Sequence, residues 1–122
     1  MKSDKLKALM KEADIAWSQA IRRIYKDTCL YSKKVGTDPH HIHPRDNLSV
    51  RWELMNGVLL NHEFHTESSV FSAHGTPKKF KDWIRGEMGF EAYDRLEKKS
   101  REVFRPTERD MEEIIQGLTE WV

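Results

Sequence analysis

The chain holds six histidines, and all of them fall between His40 and His74. Three stand in Pro39-His40-His41-Ile42-His43-Pro44-Arg45, two in His62-Glu63-Phe64-His65, and the last is His74. Histidine is the commonest metal ligand and the side chain that titrates nearest neutral pH, so this clustering points to metal-assisted acid–base chemistry. His40 and His41 are adjacent, and on a strand neighbouring side chains point to opposite faces. One of them can ligate a cation while the other works beside it on a water. Asn56 follows His41 by fifteen residues, and His65 follows Asn56 by nine. A strand, a turn, a second strand and a helix over this span would bring His40 and His65 to one ion.

Several elements must position these residues. Leu6, Leu9, Met10, Ala13, Ala16, Trp17, Ala20, Ile21 and Ile24 recur at steps of three and four, which predicts an amphipathic helix from Ser3, a good N-cap, to about Tyr25. Lys26 to Pro39 reads as turns and loop. Pro44-Arg45-Asp46-Asn47 is a further turn, and Leu48 to Trp52 is short and mixed. Asn56-Gly57 is a turn dipeptide leading into a short strand, Val58-Leu59-Leu60. A helix is expected from Asn61 or His62, ending before Gly75. Thr76-Pro77 starts another helix, with Phe80, Trp83 and Ile84 inward and Gly89 at its stop. Glu91 to Arg101 is a charged helix with Tyr93 and Leu96 inward. Beyond Pro106, Thr107 and Asp110 open a last helix carrying Met111, Ile114, Ile115 and Leu118.

The expected fold is therefore α+β and mainly helical. A small two-stranded element holds the histidines, with helices on either side. At 122 residues the chain is expected to be a single domain, 1–122. Its parts are an N-terminal basic helix over 1–27, the histidine site over 38–75 and C-terminal helices over 76–122. No apolar run approaches the ~20 residues needed to cross a bilayer, and the start at Met1-Lys2-Ser3 lacks an apolar leader core. Cys29 is the single cysteine, which excludes an internal disulfide and fits a reducing cytoplasm. Residues 1–34 carry nine Lys/Arg against four Asp/Glu, whereas residues 35–75 carry two against five. A basic arm beside a histidine-rich centre suits a phosphate-binding surface next to a metal site. The same charges suit a solvated helix face, so the role of Arg22 and Arg23 stays open on this ground alone.

The ordered set His40-His41, Asn56 and His65 resembles the HNH nucleases. Their ββα-metal (His-Me finger) motif begins with His-His or Asp-His, has a central Asn and ends with a His on a helix. The likeness extends to phage recombination endonucleases of the Rap/NinG type and covers roughly Ala13 to Leu96. It includes Ala13-Asp14 through Ser18, Ile21 and Arg22 on the first helix, then Arg51-Trp52 before Asn56. Ser72-Ala73-His74 and the pair Phe80 and Trp83 complete it. The resemblance implies a DNA endonuclease that leaves a 5′-phosphate and a 3′-hydroxyl, phage-encoded and acting in recombination, replication or packaging in the cytoplasm of a bacterial host. His40, His65 and His74 would hold one divalent ion (Mg²⁺, Mn²⁺, Ni²⁺ or Zn²⁺). His41 would be the general base and Asn56 the residue that holds the two strands in register at the catalytic site. Arg45, Arg51, Arg22 and Arg23 are the candidate DNA contacts, with branched DNA among the possible substrates and either a monomer or a homodimer as the acting form.

The sequence departs from many such relatives in one respect. Where they brace the site with two Cys-x-x-Cys pairs on zinc, this chain reads Cys29-Leu30-Tyr31-Ser32 and Asn61-His62-Glu63-Phe64. A four-cysteine zinc site is therefore excluded, and Phe64 is expected to replace it by packing; a mixed site of Cys29 and His62 is the other option. His43 and His62 read as structural or exposed, Arg45 and Arg51 equally as partners of Asp46 or Glu53, and Trp52, Phe80 and Trp83 as core. Two other functions fit the same residues: a catalytically inactive DNA- or protein-binding module on the ββα-metal frame, and a small structural zinc-finger protein.

Overall fold

The computed structural model describes residues 2–121; Met1 and Val122 lie outside them. Its elements run α1 (Asp4–Ile24), β1 (Asp38–His41), β2 (Gly57–Leu60), α2 (Pro77–Met88), α3 (Phe90–Ser100) and α4 (Glu108–Thr119). The fold is a mainly helical α+β arrangement in which the long first helix packs on the last and a two-stranded antiparallel hairpin lies between helix layers.

Local chemistry sets the helix ends. Ser3 Oγ accepts from the Leu6 N–H at 3.0 Å and caps α1 within a residue of the predicted start. Thr107 and Asp110 form a reciprocal capping box on α4, with bonds of 3.1 and 2.8 Å. Pro77 opens α2, and Gly89, at φ 87°, separates α2 from α3.

The hairpin sorts the core into two parts. His40 pairs with Val58 and His41 with Gly57. Every residue of β2 is buried, and its alternation sends Leu59 to one side and Val58 and Leu60 to the other. Leu59 joins Trp17, Ile21, Trp52, Met111 and Leu118 between α1 and α4. Val58 and Leu60 join Phe71, Phe80, Ile84 and Tyr93 beneath α2 and α3. The same alternation delivers His41 to the α1 side and His40 to the α2 side.

One expected element is much shorter than its span. Instead of a helix from Asn61 or His62 towards Gly75, the chain makes one wide π-type turn, Glu63–Glu67, closed by Ser68 N–H on Glu63 O at 2.8 Å. Hydroxyl groups then divert the backbone. Ser68 Oγ accepts from Phe71 N–H at 3.1 Å, Ser72 Oγ donates to Ser68 O at 2.7 Å, and Thr76 Oγ1 accepts from Ser72 N–H at 2.9 Å. Such side-chain bonds to nearby backbone compete directly with helical ones. Leu48 to Trp52, read as short and mixed, lies in a run of turns, and a single 3₁₀ turn, Leu54–Asn56, leads into β2. No helix among the described residues is long and apolar enough to cross a membrane.

Candidate metal centre

His40 leaves β1 towards α2, where its ring meets the edge of Phe80 at 5.0 Å between centroids. The π-type turn carries His65 to the same place. His74 arrives because the hydroxyl-rich segment folds back alongside the turn: Ala73 N–H donates to Phe64 O and His74 N–H to His65 O, both at 2.9 Å. Nine residues of separation are thereby reduced to direct contact. His40 Nδ1 and His74 Nε2 each lie 3.1 Å from His65 Nε2, and one donor atom from each of the three residues lies within 4.8 Å of the others. An ion bonded tetrahedrally to imidazoles at 2.0–2.1 Å would hold its donors about 3.3 Å apart, so this set fits a divalent metal. Burial, followed by repulsion from the neighbouring imidazoles, pushes the His40 pKa down to about 3. Burial and His65 likewise lower His74. Both rings are neutral at pH 7, the state a metal requires.

His65 has a partner that the sequence reading missed. Its Nδ1–H donates to Asp38 Oδ2 at 3.0 Å, and the same oxygen accepts from His62 Nδ1–H at 2.6 Å. Thr37 Oγ1–H donates to the other carboxylate oxygen at 2.8 Å. Burial would raise the Asp38 pKa, but the bonds from His62, His65 and Thr37 outweigh it and hold the carboxyl at about 2. Asp38, His62 and His65 form a second His/Asp group that could hold a metal. The available signal was the two-residue step from Asp38 to His40, which on a strand puts both on one face.

His41 sits on the other side of the hairpin. Its ring stacks on Trp17 at 3.8 Å and 8°, and its Nε2–H donates to the Arg51 carbonyl at 3.0 Å. That bond selects the tautomer and leaves Nδ1 as the ring's lone pair. Burial lowers the His41 pKa, partly offset by the Arg51 carbonyl and Asp14. Gly57 makes the stack possible, because a Cβ there would lie 2.7 Å from Trp17 Cζ2 and closer still to Ile21 Cδ1. His40, His41, His65 and His74 nevertheless line one groove of ≈ 730 Å³, which also takes in Arg45 and Lys81.

Asn56 is fully buried and staples the loop after β1. Its Oδ1 accepts from the His43 N–H at 2.7 Å and its Nδ2 donates to the His43 carbonyl at 3.1 Å. The chain thus stays in register beyond the last strand pair, although through His43 rather than between the strands themselves.

The arginines behave differently from expectation. Arg51 is tied in a two-pronged pair to Asp14, at 3.0 and 2.6 Å, and its side chain is 14% exposed. Neither Asp46 nor Glu53 is its partner; Glu53 pairs with Lys99. Trp52 Nε1–H and Arg45 also reach Asp14, each at 2.9 Å. Arg51 is therefore committed within the fold, whereas Arg45, 64% exposed, can still meet a phosphate. Arg22 and Arg23 lie exposed near the end of α1, where Arg22 donates to the Thr37 carbonyl at 3.3 Å.

His43, expected to be structural or exposed, is half-buried with Nε2 3.4 Å from Glu97. Cys29 is buried and joins neither histidine group; its Sγ accepts the Ser32 N–H at 3.4 Å. His62 turns to Asp38 instead of Cys29. Phe64 packs in an aromatic cluster: Tyr31 stacks on Phe71 at 3.8 Å and meets Phe64 at 5.0 Å and Trp83 at 5.3 Å. Trp52 and Phe80 are core, and Trp83 is half-buried beside Phe80. Comparison with family models, curated proteins and solved structures yields no match.

Proposed function

We propose that the chain is a metal-dependent endonuclease of the HNH type, built on a ββα-metal frame, that hydrolyses phosphodiester bonds in DNA. One observation carries the reading: a convergent group of three imidazoles and a separately oriented fourth imidazole share one groove. His40 Nδ1, His65 Nε2 and His74 Nε2 would hold a single divalent ion, and that ion would supply Lewis-acid charge to a phosphate oxygen. Three nitrogen ligands suit Zn²⁺, Ni²⁺ or Mn²⁺ more than Mg²⁺, which prefers oxygen.

The remaining steps belong to side chains of this protein. His41 Nδ1 accepts a proton from water as the water oxygen bonds to phosphorus and the bond to the 3′ oxygen breaks, and that oxygen takes its proton from bulk water. The products carry a 5′-phosphate and a 3′-hydroxyl. The Arg51 carbonyl holds the opposite N–H and stabilises the imidazolium that forms. Trp17 fixes the ring plane, and Asn56 fixes the strand exit that carries His43. Arg45 and Lys81 provide positive charge for the phosphate backbone at the groove.

Supercoiled plasmid incubated with Mg²⁺, Mn²⁺, Ni²⁺ or Zn²⁺ in turn tests this. Nicked product is expected with at least one metal, and His41→Ala is expected to slow nicking by about 10²–10⁴-fold while zinc still binds. Absence of cleavage with every metal, on linear, branched and single-stranded DNA alike, overturns the enzyme reading in favour of a binding module on the same frame.

A further inference from the structure

His65 belongs to both potential metal groups. Its Nε2 faces His40 and His74, and its Nδ1 faces Asp38, which also receives His62. A neutral imidazole carries one N–H and one lone pair, so it can serve one group as ligand only if the other receives its proton. We infer that Asp38 is a positioning residue that locks His65 as the Nδ1–H tautomer, so that the chain holds one ion at His40, His65 and His74 and the outer Asp38–His62–His65 group is its support, not a second metal site. The inference rests on the metal centre proposed above.

Three observations favour this assignment. A carboxylate only accepts hydrogen bonds, and Asp38 Oδ2 lies 2.6 and 3.0 Å from two imidazole Nδ1 atoms, so both nitrogens present N–H to it. An ion at the outer group would displace both of these charge-assisted bonds, whereas an ion at the inner group replaces only the contacts among the three imidazole rings. The carboxylate is also pre-oriented, since Thr37 holds its second oxygen and β1 fixes its backbone two residues before His40. His62, by contrast, is 59% exposed, and its other nitrogen lies 3.4 Å from Glu67. That exposure makes it a poor preorganised ligand. A carboxylate behind a ligating histidine orients the ring and raises its basicity, and loss of such a partner costs about 10–100-fold in metal affinity.

Zinc titration of the full chain by calorimetry, combined with long-range ¹H–¹⁵N spectra of the imidazoles, reads both parts. One zinc per chain is expected, with His65 Nδ1 protonated before and after loading and Nε2 shifting on binding. Asp38→Ala should weaken zinc by about 10–100-fold and leave His65 a mixture of tautomers. Asp38→Asn, whose amide oxygen can still accept, should recover part of both, and His62→Ala, which removes one bond to Asp38 but no ligand, should weaken zinc less than Asp38→Ala does. Circular dichroism of each variant confirms that it is folded. Two zincs per chain, or a loss in His62→Ala as large as in His40→Ala, overturns the inference, as does wild-type affinity with an unchanged tautomer in Asp38→Ala. His40→Ala separates the two levels: zinc bound as tightly without that ring sinks the metal centre itself. Binding lost there and kept in Asp38→Ala sinks only the positioning role.

Discussion

Single side chains in this protein hold several neighbouring groups at once, and Asn56 shows the consequence. Both its polar atoms are spent on His43, in a site with no access to water. Asn56→Ala would strand a buried N–H and a buried carbonyl, each costing about 1–3 kcal/mol. Urea unfolding should therefore show a loss of roughly 2–4 kcal/mol, larger than for a typical surface change. A loss below about 0.5 kcal/mol would mean that water reaches His43. Asp14 is the second such residue. With Arg51 largely enclosed and Trp52 Nε1 on the same carboxylate, Asp14→Ala should cost roughly 2–3 kcal/mol, below the full value for a buried pair because both partners keep some solvent. Arg45→Ala, on the exposed arm of the same cluster, should cost less than about 1 kcal/mol in stability, and its effect is expected in salt-dependent DNA affinity instead.

At the scale of elements, the hairpin and α1 are fitted to one another through a missing side chain. Gly57 lies against Ile21 and Trp17, and the ring of His41 occupies the neighbouring space on Trp17. Gly57→Ala should cost about 1–3 kcal/mol through overpacking and should slow plasmid nicking by displacing His41. Unchanged stability and rate together would show that α1 yields freely. The α4 cap gives a pH-dependent counterpart. Bonds from the Thr107 backbone and side chain lower the Asp110 pKa, so its contribution to stability is complete above the ordinary carboxylate range near 3.9. It is lost as pH falls through the lower folded-state value. Acid titration of Asp110→Asn against wild type should show curves that converge below that range and separate above it.

For the whole molecule, the two apolar clusters meet at β2 and contain none of the candidate metal ligands. Excess EDTA should therefore leave the far-UV circular dichroism unchanged, which separates this protein from a zinc finger that unfolds without metal. Saturating zinc should still raise the melting temperature. A ligand at one hundred times its dissociation constant adds about 2.7 kcal/mol, provided the unfolded chain does not bind it. Unfolding by chelator alone would show that the clusters are insufficient. The aromatic group of Tyr31, Phe64, Phe71 and Trp83 adds packed rings to the cluster beneath α2 and α3.

Much of this protein is legible along the chain because it depends on neighbours in sequence. The span of α1 follows from three- and four-residue apolar steps, the start of α4 from Thr107 and Asp110, and the opposed faces of His40 and His41 from the two-residue strand period. The order His40-His41, Asn56, His65 and His74 was open to pattern reading because order and spacing are sequence properties. Only tertiary structure decided the rest. The fold-back that sets His74 against His65 depends on hydroxyl–backbone bonds among Ser68, Ser72 and Thr76, which compete with a helix that the local pattern equally allowed. The pairing of Arg51 with Asp14 spans 37 positions, and a charge in sequence carries no label for its partner. Asp38 is the clearest case. Its residue type and register were visible, but its role arises from two imidazole N–H groups, 24 and 27 positions away, meeting at one oxygen atom.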